Sequence, residues 1–104
     1  MVYPGRMADT SHALSTSVLK ERLEAAFPSL LEELTQLVAI PSVSSDPAHA
    51  ADVERSAEHI RERFAALGLE AKVLRETSAD GTEGKPALVA HTLLFEGAPT
   101  VLLY

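Results

Sequence analysis

No cysteine and no tryptophan occur among the 104 residues, and aromatic residues make up only 5% of them. Without thiols the chain can form neither disulfides nor thiolate metal sites, a composition that suits the cytosol. With so few aromatics, packing falls to leucine, alanine and valine. Basic residues are also scarce, nine against fifteen acidic ones, for a formal net charge of -6. Nucleic acids and anionic membranes call for a positive footprint that this balance does not supply. No run approaches the ~20 apolar residues that span a bilayer. Residues 1–14 lack the apolar centre of a secretory signal and read as a mobile tail, within which Met7 offers an alternative start.

The hydrophobic content is 46%, that of a globular chain, and the length sets one domain as the ceiling. A first helix is expected to begin at Ser15, Thr16 or Ser17, any of which can cap it. Leu19, Leu23, Ala26, Leu30, Leu34, Leu37 and Val38 recur at helical spacing, with Glu32 and Glu33 on the outer side. Pro28 predicts a kink or break near Ala26-Phe27. Pro41 disfavours helical geometry at Ile40 and ends the helix there. Asp46 then caps a second helix, with Pro47 at its first position.

Val53, Ala57, Ile60, Phe64 and Leu67 form one apolar stripe on that second helix, and Gly68 follows as a left-handed cap. Burying four large side chains yields roughly 6–12 kcal/mol. Ordering a helix of this length costs ~1–2 kcal/mol per residue for the backbone alone. The stripe must therefore dock on something larger. Leu69–Arg75 alternates apolar and charged residues, as an edge strand with one solvated face does. Thr77–Gly84 reads as a flexible loop, Ala87–Leu94 as a second strand, and Thr100–Tyr104 as a third, apolar enough to lie buried on both faces.

Chemistry is sparse. His12, His49, His59 and His91 stand in no metal-ligand spacing. His12 and His49 read as solvated. Asp52, Ser56 and His59 share a helix face with Arg63, but neighbours on one exposed helix lack an oxyanion hole and a water-excluding cleft, so a solvated polar face is expected. His91 interrupts an apolar strand and must either find a buried partner or point to solvent. Ser42, Ser44 and Ser45 lack a glycine-rich cradle or nucleophile elbow and read as turn residues.

The wording Leu37-Val38-Ala39-Ile40-Pro41-Ser42-Val43-Ser44-Ser45-Asp46-Pro47, the helix leading into Ala66-Leu67-Gly68-Leu69-Glu70-Ala71-Lys72-Val73, and the strand Thr100-Val101-Leu102-Leu103-Tyr104 resemble, in that order, the amino-terminal end of a zinc metallopeptidase family. That family contains the carnosinase-like dipeptidases, which look most similar, the aminoacylases, glutamate carboxypeptidase and succinyl-diaminopimelate desuccinylase. The resemblance implies an α/β fold in which two N-terminal helices pack on the first three strands of a mixed sheet. It implies residues 15–104 as the front of a catalytic domain, truncated before the glycine-histidine-spacer-aspartate motif that follows such a strand. The intact enzyme would hold two zinc ions and hydrolyse a dipeptide or N-acyl amino acid, and could be a homodimer. No position here matches a catalytic, cofactor-binding or metal-ligating residue of that pattern, so this chain alone is expected to bind no zinc and to be inactive. Two rivals remain open. One is a small α/β interaction module pairing through its Val101–Tyr104 edge, and the other a helical adaptor of residues 17–67 with the rest disordered.

Overall fold

The computed structural model describes residues 14–104, so the tail expectation for 1–14 lies almost wholly outside it, and His12 lies outside it entirely. Within that span the chain is mixed α/β. A long helix α1 (Thr16–Val38) leads through a proline-bounded turn and a short 3-10 turn (Pro47–His49) into helix α2 (Ala50–Ala66). Strands β1 (Glu70–Leu74) and β2 (Ala87–His91) follow as an antiparallel pair. No described helix is long and apolar enough to cross a membrane.

Ser15 caps α1 by accepting from the Val18 amide. The helix then runs unbroken through Pro28, against the expected break. An internal proline loses one amide bond, a local penalty of ~3 kcal/mol that the continuous helix carries at this position. Pro28 has no amide for the Glu24 carbonyl, and in the same turn Ser29 Oγ donates to the Ala26 carbonyl at 2.8 Å. Helix α1 stops two residues before Ile40, and the turn is tied by Ser42 N–H to the Ile40 carbonyl at 2.7 Å and Val43 N–H to the Pro41 carbonyl at 2.8 Å. Asp46 Oδ1 accepts from the Ala48 amide at 2.9 Å, the cap its position foretold.

At the far end of α2, Gly68 takes φ 83°. Its amide reaches the Ala65 carbonyl at 2.9 Å while the Leu69 amide reaches Phe64 at 3.1 Å. This paired closure is the Schellman arrangement, and it turns the chain straight into β1. The strands pair with Ala71 opposite Ala90 and Val73 opposite Leu88, and these four are the half-buried positions of the ladder. Helix α2 lies against both strands through Val53, Ala57, Ile60 and Phe64, which are also half-buried. The outward row carries Glu70, Lys72 and His91, as the alternation of β1 requires.

Two further expectations fail. Thr100–Tyr104 forms no strand, so the sheet has two strands and not three. A strand apolar on both faces gains by joining a sheet only where layers cover both sides, and α2 covers one. Ala87–Leu94 is shorter as a strand than expected, ending at His91. The loop Thr77–Gly84 is internally bonded, by a Thr77–Glu83 bridge, Ser78 N–H to the Thr82 carbonyl at 2.9 Å and Gly84 N–H to Glu76 at 2.7 Å. The hairpin also removes the helical-adaptor rival, which required disorder after residue 67.

No described residue is buried. Leu19, Leu23, Phe27, Leu31 and Leu34 of α1 and Leu93, Leu94, Val101, Leu102 and Leu103 near the C-terminus are all exposed. A stable domain covers such surfaces, and among the described residues nothing covers these.

Candidate functional site

The polar groups that come together lie along α2, where the C-terminal half of α1 and the Ile40 turn approach it. One shallow groove is lined by Leu30, Leu34 and Leu37 of α1 and His59 and Ile60 of α2, and is closed at its rim by an ion pair between Arg63 and Glu33. A second lies on the other side of His59, between Ile40 and the carboxylates of Glu54, Glu58 and Glu62. His59 borders both.

This corrects the reading of that face as solvated. Asp52, Ser56 and His59 are half-buried, His59 where α1 and the Ile40 turn border it, and Glu33 points inward to Arg63 instead of outward. The three residues still do not form a hydrolytic chain. Asp52 Oδ2 lies 2.8 Å from His49 Nδ1, and its other oxygen pairs with Arg55 Nη2 at 2.9 Å. His49, expected to be solvated, is held by this contact one turn along the helix. A nucleophile needs a base and the base an orienting group, and Asp52 is committed elsewhere.

The acidic row is likewise engaged. Glu58 receives Arg61 Nε at 2.8 Å on each oxygen, an interaction that holds its carboxyl below the usual range and raises the guanidinium. Glu54 receives Arg75 from the end of β1, which fastens the hairpin to α2 and raises the Arg75 pKa. Repulsion along Glu54, Glu58 and Glu62 is thus offset by cations at two of the three. The Glu58–Arg61 pair was visible as an i, i+3 spacing. Arg63–Glu33 and Arg75–Glu54 span 30 and 21 residues, and no local pattern announces them.

His91 points to solvent, with Nδ1 3.1 Å from the Thr92 carbonyl and Nε2 3.8 Å from Glu70 opposite it on β1. Lys72 lies 2.8 Å from the same Glu70 and, with His91, holds that carboxyl below its ordinary value. Asp80, in the loop, accepts from the Thr82 amide at 2.9 Å and is lowered by that bond. Ser44 and Ser45 form the turn before Asp46.

Among the described residues, no group of three or more histidine and carboxylate side chains could hold a metal ion. The residues present therefore do not fit the zinc pair implied by the metallopeptidase resemblance, and no reaction step runs through them.

No protein-family model matches the chain, no curated protein is significantly similar to it, and no solved structure significantly resembles its fold. The metallopeptidase resemblance rests on the ordered sequence features alone.

Proposed function

We propose that this chain is the amino-terminal scaffold of a zinc-dependent dipeptidase or related amidohydrolase, and that it has no hydrolytic activity by itself. Its role is to present α2 and the β1–β2 ladder as one edge of a larger catalytic sheet. The metal ligands and the general base that activates zinc-bound water would come from polypeptide outside these 104 residues. The substrate would be a dipeptide or an N-acyl amino acid, met in the cytosol.

The observation that carries this reading is the absence of any buried residue among those described, together with the exposed Leu93–Phe95 and Val101–Leu103 runs beside an otherwise regular helix-on-ladder packing. Such a layer is what a larger α/β sheet would complete. The order of sequence features supplies the family. A second reading is favoured by the same runs: a small α/β module that recruits a partner strand along Val101–Tyr104.

The test is hydrolysis of dipeptides by the native protein, captured from its source cells with an antibody against residues 50–75. The proposal expects activity that a chelator abolishes and zinc restores, and none from the recombinant 104-residue chain. Zinc-dependent hydrolysis by the recombinant chain, or inactive native material, would overturn it.

A further inference from the structure

We infer that Asp80–Gly81 is an isoaspartate-forming site that the folded loop holds shut, so that the modification marks chains whose β1–β2 connection has opened. Isomerisation at an aspartate begins when the amide nitrogen of the next residue attacks the side-chain carboxyl, and a bulky side chain on that residue hinders the attack. The aspartates of this chain are followed by Thr10, Pro47, Val53 and Gly81. Proline has no amide N–H, and threonine and valine are branched at Cβ. Only Asp80 precedes a residue without a side chain. Gly81 takes φ 84°, and among the described residues no atom beyond its chain neighbours lies within 4 Å of the place a Cβ would take.

The reaction needs no co-reactant but water. The Gly81 nitrogen bonds to Asp80 Cγ and gives up its proton, and a carboxyl oxygen leaves as water, closing a succinimide ring. Water then opens the ring, at Cγ to restore aspartate or at the main-chain carbonyl to leave the chain running through the side-chain carboxyl. The fold engages both partners of the attack. The Gly81 amide donates to the Ser78 carbonyl at 2.9 Å, and Asp80 Oδ1 accepts from the Thr82 amide at 2.9 Å. The second bond holds the Asp80 carboxyl below its ordinary value, and a carboxylate is a poor electrophile because its oxygen cannot leave as water. Around them the loop is closed by the Thr77–Glu83 bridge, by Ser78 N–H to the Thr82 carbonyl and by Gly84 N–H to the Glu76 carbonyl at 2.7 Å. Local opening of the loop frees nitrogen and carboxyl together. The inference is independent of the dipeptidase reading, because it needs only the β1–β2 connection.

The test ages the full chain in warm neutral buffer, with and without guanidinium chloride. After the denaturant is removed, isoaspartate at residue 80 is read as resistance to an aspartate-specific protease. The chain has no asparagine, so deamidation cannot supply the signal. Isoaspartate should build up in denaturant and at least ~fivefold more slowly in buffer, the factor that one net hydrogen bond confers. Gly84→Pro removes the amide that donates to Glu76 and leaves the Asp80-Gly81-Thr82 sequence intact. It should bring the rate in buffer toward the denatured one with helix content unchanged, and leave the rate in denaturant as it is in the native chain. Equal rates in buffer and denaturant would overturn the inference. So would the absence of isoaspartate from both, or a Gly84→Pro rate in buffer no faster than that of the native chain.

Discussion

Replacing Gly68 by alanine tests the joint on which the fold turns. Gly68 sits at φ 83° between α2 and β1, and its amide and that of Leu69 close the last turn of the helix. A side chain in this left-handed region costs roughly 1–2 kcal/mol. Against this, alanine lowers the entropy of the unfolded chain by ~0.4–1 kcal/mol. The net expectation is a loss of about 1 kcal/mol, large for a chain in which no described residue is buried. Asparagine tolerates this conformation, so Gly68→Asn should lose less than Gly68→Ala. Urea unfolding followed by far-UV circular dichroism measures both. If alanine is neutral or stabilising, or if asparagine is as harmful as alanine, the strain argument is wrong.

Phe64→Ala removes the largest side chain between α2 and the ladder. Full burial would make it cost ~3–5 kcal/mol, and the half-buried setting halves that to about 2 kcal/mol, read as a lower urea midpoint. Pro28→Ala should raise stability by up to ~3 kcal/mol with helix content unchanged, because the helix already passes through this position. A rise in helix content would mean that α1 is locally broken there. The carboxyls of Glu58, Glu70 and Asp80 are held below their ordinary values by Arg61, by Lys72 and by the Thr82 amide respectively. Groups depressed in the folded state contribute stability above their unfolded pKa of about 4, and that contribution is lost as pH falls through their folded values. The urea midpoint should therefore hold from neutrality down to about pH 5 and decline below about pH 4. A Glu58→Gln, Glu70→Gln, Asp80→Asn variant should show a shallower decline.

Local rules carried most of the architecture. Caps at Ser15 and Asp46, the stop before Pro41, the α2 stripe ending at Gly68 and the one-sided alternation of β1 all follow from short spacings in the sequence. Failures came where a distant partner decides. The helix continues through Pro28, where the local rule expects a kink or break. Thr100–Tyr104 has the composition of a central strand, but composition does not provide neighbours. Glu33 and His59 were read as solvated because the approach of α1 and its turn to α2 is a tertiary event, whereas the His49–Asp52 contact is a local i, i+3 pair. The ion pairs Arg63–Glu33 and Arg75–Glu54 join elements far apart in the chain, and nothing in the residues around either partner marks them. Candidate chemistry was legible mainly as isolated histidines, and the structure gives each described one an environment without assembling them.

The central claim is that these elements are one layer of a larger catalytic domain. Its most direct test is the denatured mass of the native polypeptide, detected in source cells with an antibody against residues 50–75. The account predicts a species several times heavier than 11.1 kDa that carries zinc. A folded, zinc-free species of 11.1 kDa would contradict it, and the exposed Val101–Tyr104 run would then be read as the docking strand of an interaction module.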